Sequence, residues 1–359
     1  MSPGKIARQT FGTVGAWGRI VAFVISLFPM LPSRPVNWLT RRPLEESVTY
    51  PTVSGVTVGV IYRPSGSGRH PGMVICLGVV PAEFDHPQVA RLGNALARSG
   101  FVALMVWSPA MRDMRIEPED TKNVAIAFDW LTGQPYVDPD RSGLLGACVG
   151  GAFALMAAAD ARIRGRVRFV AAYAPYSSMW TLAQDAASST TIRSTEREPW
   201  EVDQLTRKVF IRTLTATLEP GEAALLTRAF TDADVKFDVK GLSESGRIVA
   251  ALLSHPSSEE AALALKRLPV AMQERLSATS PLEFLSDIHA PLISVLHDEG
   301  DGVIPVGESR RLIAALSDHP RVCYTEMKFQ HMNPAHVPVC RLTREFCKFA
   351  LAMYPIFRQ

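Results

Sequence analysis

The sequence has few cysteines, no long uninterrupted hydrophobic run and almost no excess of either charge. Its five cysteines, Cys76, Cys148, Cys323, Cys340 and Cys347, are scattered over 359 residues. The count is odd and no pair has C-x-x-C spacing, which argues against both a zinc ligand set and a disulfide framework. Unpaired thiols point to a reducing, cytoplasmic compartment. Thirty-eight basic residues stand against 35 acidic ones, a net charge of +3. So small a surplus, without a dense Lys/Arg stripe, gives no footprint for nucleic acid. There is no internal repeat, and no metal or cofactor motif. What is present is a globular balance, 47% hydrophobic and 20% charged.

The most apolar stretch, Ile20 to Leu31, covers twelve positions. A membrane-crossing helix needs about 20. Extension back to Thr13 takes in Arg19, and Pro32-Ser-Arg-Pro35 follows where a cleavage site would be needed. Residues 1–45 therefore read as an apolar helical segment, with its helix at Val14 to Leu31. Its apolar face needs a cover, which the body, a second copy through dimerisation, or a membrane surface would supply.

From about residue 46 a regular alternation begins. Val56 to Tyr62 reads as a strand, and Met73 to Leu77 as a short apolar run of the buried parallel kind. Pro87 to Ser99 reads as a helix with Gly100 as its stop. Phe101 to Trp107, the run ending at Leu144-Leu145, and Arg168 to Ala174 read as further strands. Pro118 to Leu131 and Val149 to Ala159 read as the helices between them. From about Ser177 to Asp287 the pattern is helical, broken by proline and glycine, with no convincing strand. The alternation resumes with a strand at Pro291 to Leu296, a helix at Gly307 to Leu316, a strand at Val322 to Phe329 and a last helix at Val337 to Tyr354. Strand–helix alternation predicts an α/β fold with a mostly parallel sheet flanked by helices. The expected organisation is a core in two parts, 46–176 and 288–359, around a helical lid insertion at 177–287.

Within that pattern, Gly146-Ala-Cys148-Val-Gly150-Gly151 has the form G-x-nucleophile-x-G-G between a strand and a helix. That context is what a nucleophile elbow needs. Glycines two before and two after the central residue let neighbouring elements approach. The helix N-terminus is expected to favour a thiolate at Cys148. After the insertion, His297-Asp298-Glu-Gly-Asp301-Gly-Val-Ile-Pro305 follows a strand and carries two acids, either of which could orient a histidine. The last strand runs into Lys328-Phe-Gln-His331-Met-Asn-Pro334. His331 is nearer the strand end than His336 and is the preferred general base. His297 and His289 are expected to make local contacts. The order Cys148, Asp301, His331 is nucleophile, acid, base. An oxyanion hole is expected from Val149, the residue after the nucleophile, and from Gly78 and Val79 in the loop after the early strand.

These pieces resemble the α/β-hydrolase superfamily, and in particular its dienelactone-hydrolase-like branch with a Cys nucleophile. The resemblance rests on Asp138-Pro-Asp-Arg141, Gly146-Ala-Cys-Val-Gly-Gly151, Ser280-Pro-Leu, Ile288-His-Ala-Pro291 and the turn 297–305. That turn is similar to the family's H-G-x-x-D-x-x-V-P, with Asp298 in place of the glycine. It puts Asp301 rather than Asp298 at the family's acid position and His331 at that of its base. The resemblance covers about residues 46–176 and 280–357. It implies an acyl-Cys enzyme acting on a small-molecule ester, lactone or thioester, free or carried by a carrier protein. The acyl group would pass to water or to another nucleophile, as in a thioesterase or other hydrolase, an acyltransferase or a Dieckmann-type cyclase. A non-catalytic binding protein of the same fold is the alternative. No cofactor is implied.

Overall fold

The computed structural model describes residues 3–29, 31–32, 34–79, 86–192, 195–232, 237–328 and 339–359. In chain order the elements are α1 (Pro3–Leu27), α2 (Arg34–Leu39), β1 (Leu44–Thr52), β2 (Gly55–Arg63), β3 (His70–Cys76), α3 (Pro87–Arg98), β4 (Val102–Val106), α4 (Pro109–Arg112), α5 (Glu119–Thr132), β5 (Val137–Ala147), α6 (Val149–Ala158) and β6 (Val170–Tyr173). There follow α7 (Met179–Ser188), β7 (Thr190–Ile192), β8 (Arg197–Pro199), α8 (Gln204–Thr215), α9 (Pro220–Thr231), α10 (Glu244–Leu253), α11 (Ser258–Arg267) and α12 (Val270–Ala278). The chain then returns through β9 (Ile293–Asp298), α13 (Val306–Ala315), β10 (Val322–Met327) and α14 (Val339–Phe357).

The short apolar runs become central strands because helices cover both of their faces. The eight-stranded sheet has the order β1-β2-β4-β3-β5-β6-β9-β10. From β4 to β10 all neighbours are parallel, while β2 pairs antiparallel with both β1 and β4. Side chains alternate across the sheet. Along β4, Val102, Leu104 and Val106 join the core that α5 and α6 cover, and Ala103 and Met105 join the one covered by α1, α3 and α14. Helix α6 is apolar all round, and every one of its residues is buried.

The mostly parallel sheet flanked by helices is as the alternation predicts. Two expectations need correction. β1 was not anticipated: it is an edge strand whose polar side chains face solvent, so no apolar run marks it. The stretch between β6 and β9 also contains the antiparallel pair β7–β8, whose three-residue strands are too short to show a period.

Helix α1 packs on α3 and α14. Ile20, Phe23 and Phe28 are buried there, and Phe23 lies against Phe349 and Phe357. Among the described residues, no helix is long and apolar enough to cross a membrane.

Candidate active site

The C-terminal ends of the parallel strands meet at the turn from β5 into α6. Cys148 is the residue between them, with φ +56° and ψ −129°. A side chain rarely adopts that backbone, and its cost of roughly 1–3 kcal/mol is met by surrounding contacts. The Cys148 N–H donates to the Tyr173 carbonyl at 2.8 Å, and the Gly151 N–H donates to the Cys148 carbonyl at 2.9 Å. A Cβ on Gly150 would come within 2.0 Å of the Cys76 carbonyl oxygen, so β3 can pass only over glycine. Gly146 is constrained in the same way by Gly150. Cys148 thus sits in a strained strand-to-helix turn that glycines at 146 and 150 allow.

Gly78 follows β3 with φ +73°. Its Cα lies so close to the elbow that an added Cβ would stand 3.3 Å from the Val149 nitrogen. Gly78 is thus brought against the start of α6, beside Val149. Val79, Cys148 and Val149 line one cleft of about 630 Å³, with Met179, Phe210 and Val303 among the other walls. Helices α7 and α8 form its far side, and its lining is almost wholly apolar.

Val303 and Ile304, of the turn after β9, also line the cleft. Asp301 is buried, and its Oδ1 accepts from the N–H groups of Val303 at 2.8 Å and Ile304 at 3.1 Å. Its Oδ2 lies 3.7 Å from His297 Nε2. His297 is buried as well, with Nδ1 2.6 Å from Ser309 Oγ and Nε2 2.9 Å from the Ile304 carbonyl. These are the local contacts expected of it. Asp298 is the last residue of β9 rather than a turn residue, and its Oδ1 accepts from the Gly300 N–H at 2.9 Å. His331 and His336 lie outside the described residues.

Electrostatics correct one expectation. Burial, followed by the Asp301 carboxylate, pushes the Cys148 thiol up to about 12; the Val149 N–H on the sulfur pulls the other way but does not prevail. Desolvation of the thiolate outweighs the helix N-terminus, so the thiol is protonated at neutral pH. Asp301 acts on the sulfur's charge, and so does Asp203 of the insertion. Among the described residues, no group of His, Cys, Asp and Glu is arranged to hold a metal ion.

The insertion reaches into the Asp301 turn. The Trp200 indole N–H donates to the Gly302 carbonyl at 3.2 Å, and the Thr206 hydroxyl to the Val303 carbonyl at 3.1 Å. One helix further, the fully buried Glu308 accepts from the Ser177 N–H at 2.7 Å and the Thr181 hydroxyl at 2.8 Å, and pairs with Arg311. Arg311 in turn faces Asp185, which also binds Arg197 and Thr191. Nothing in the sequence singled out this buried polar network.

No protein-family profile matches the chain. A curated relative, the probable 2-oxo-3-(5-oxofuran-2-ylidene)propanoate lactonase of Bradyrhizobium sp, is 33% identical over 123 residues, 30% of this chain and 48% of the relative. The chain thus matches about half the length of that relative. Among solved structures, acylaminoacyl peptidase in complex with Z-Gly-Gly-Phe-chloromethyl ketone superposes with a TM-score of 0.54 at 13% identity, over 87% of this chain and 41% of that one. The α/β hydrolase GrgF from Penicillium sp. sh18 superposes with a TM-score of 0.50 at 17% identity, over 86% and 98%. At these identities the likeness is one of fold, and the fold is that of the α/β-hydrolases.

Proposed function

We propose that the protein is a Cys148-dependent acyl-transfer enzyme, of the dienelactone-hydrolase-like kind, acting on an apolar ester, lactone or thioester. The observation that carries this reading is the strained Cys148 turn, which presents a thiol at the mouth of an apolar cleft beside the Asp301 turn. The lactonase relative supports hydrolysis of a cyclic or linear ester.

In this mechanism His331 takes the thiol proton as Cys148 Sγ attacks the acyl carbonyl. A thiol raised to about 12 needs such a base at the moment of attack. Asp301 orients the histidine and stabilises its charged form. The Val149 and Val79 N–H groups receive the developing oxyanion. Collapse of the intermediate breaks the acyl C–O or C–S bond, and the leaving group takes the proton back from His331. The acyl group is now a thioester on Cys148. Water, deprotonated by His331, attacks it and regenerates the thiol. A thioester is more open than an oxygen ester to amines and carbanions, so another nucleophile can replace water. Residues 177–287 act as the lid that shapes the acyl pocket and excludes bulk water.

The test is turnover of nitrophenyl esters of increasing acyl length and of aliphatic lactones by wild type and Cys148→Ala. The reading predicts a preference for apolar acyl groups and a loss of about 10⁴-fold or more in the variant. Equal turnover by both forms overturns it. An inactive wild type that binds the same compounds reversibly would favour a binding protein instead.

A further inference from the structure

The N-terminal helices leave a face that neither the sheet nor α14 covers. Helix α1 buries Ala16, Ile20 and Phe23 against the body. Its other side exposes Val14, Trp17 and Val21, spaced three and four apart and therefore on one stripe. Trp17 stacks on Tyr354 of α14 at 5.2 Å. One turn before Tyr354 on the same helix, Leu351 is 61% exposed. Helix α2 packs against α1 and carries Trp38 at 87% and Leu39 at 86% exposure. Trp38 thus stands in solvent, and Trp17, stacked on Tyr354, is still 38% exposed. Scattered exposed leucines need no explanation, but a continuous stripe does.

The charge of this segment is as uneven as its polarity. Residues 1–43 hold six basic residues, Lys5, Arg8, Arg19, Arg34, Arg41 and Arg42, and no acidic one. The whole chain is +3, so the remaining 316 residues carry −3. Arg34, Arg41 and Arg42 are exposed around α2. Arg19 is drawn in toward Gly100 instead, which leaves the stripe on α1 free of charge. The nearest acids in the chain are Glu45 and Glu46, and Glu46 is paired with Arg63.

We propose that this face docks on an anionic lipid bilayer, lying in the interface without crossing it. Tryptophan, with its apolar ring and polar N–H, favours the headgroup level of a membrane. Exposed apolar side chains rimmed by arginines match an interfacial helix that meets anionic lipid. A second copy of the chain would bring three further exposed arginines against Arg34, Arg41 and Arg42, so like charge disfavours self-association through this face.

Flotation of the full chain tests this, with phosphatidylcholine vesicles compared with vesicles in which a third of the lipid is phosphatidylglycerol. The expected result is co-flotation with the anionic vesicles only, reversed by high salt. Arg41→Gln with Arg42→Gln should weaken partition about 30-fold, from about fivefold per basic residue near an anionic surface. Trp38→Ala with Leu39→Ser should weaken it about tenfold or more at unchanged Tm, since both side chains stand in solvent. Equal partition to neutral and anionic vesicles overturns the proposal, as does a full chain that never floats. A concentration-dependent dimer that the Trp38→Ala, Leu39→Ser variant abolishes also overturns it, because a second copy then covers the face.

Discussion

The elbow and the acid turn border one cleft, yet they are built in different ways. The elbow is a backbone construction. Cys148 is fixed by hydrogen bonds to Tyr173 and Gly151 and by glycines that let β3 and α6 close on it. The acid turn is a side-chain construction. Asp301 is held by its own loop amides, while Trp200, Thr206, Ser177 and Thr181 reach in from a segment at least 95 positions away in sequence from the groups they bind. A feature set by backbone sterics writes itself into a short motif. One set by distant side chains does not. The same contrast says that the elbow tolerates changes in the insertion, and the acid turn does not.

The sharpest way to break this comparison is Asp301→Asn. On the proposed mechanism, in which Asp301 orients the base, its loss should lower kcat by about 10⁴-fold. The same change should lower the Cys148 pKa, because the Asp301 charge is, after burial, the second of the three causes that raise it. A more ionised yet slower nucleophile would show that the acid acts through the base. Thiolate absorbance against pH, beside steady-state kinetics, reads both effects. In wild type without substrate, alkylation by iodoacetamide should keep rising with pH toward about 12. Asp298→Asn should stay within about threefold of wild type on the proposed mechanism, which gives Asp298 no part in the chemistry; its Oδ1 accepts from the Gly300 N–H. The reverse ranking transfers the acid's role to Asp298.

Glu308→Ala comes next. It removes the acceptor of the Ser177 and Thr181 donors and one of the two carboxylates that face Arg311, at a cost of about 1–3 kcal/mol. Thermal unfolding should show the loss, and the pH dependence of Cys148 alkylation at a temperature where the variant stays folded should change little. An elbow disturbed as much as the acid turn would erase the distinction drawn here. The smallest effect is expected from Trp200→Phe, which removes a single hydrogen bond to Gly302. A stability loss of about 1 kcal/mol with a fall of about fivefold in kcat fits one lost bond that positions the turn. An unchanged kcat would separate the insertion from the acid.

These differences explain what could be read in the sequence. The parallel strands were legible because burial on both faces makes them continuously apolar, as in β4. The elbow was legible because only glycine fits at 146 and 150. The acid turn could be located but not ranked from its residues alone, since Asp298 and Asp301 differ by what surrounds them. No local pattern marks Glu308 and Asp185, which are buried where they pair with Arg311 and Arg197. The cleft walls on α7 and α8 share the helical period of any amphipathic segment, so Met179 and Phe210 carried no separate signal. The thiol's charge state was misjudged because a helix N-terminus is visible in sequence, whereas desolvation is not.

The central claim is that the acyl group passes through Cys148. Mixing the wild-type protein with an apolar nitrophenyl ester, quenching in acid during turnover and mapping the peptides by mass tests it directly. The account predicts one acyl adduct, carried by the peptide that contains Gly146 to Gly151 and absent from Cys148→Ala. Turnover without an adduct on that peptide, or an adduct shared equally with Cys323 and Cys347, would contradict it.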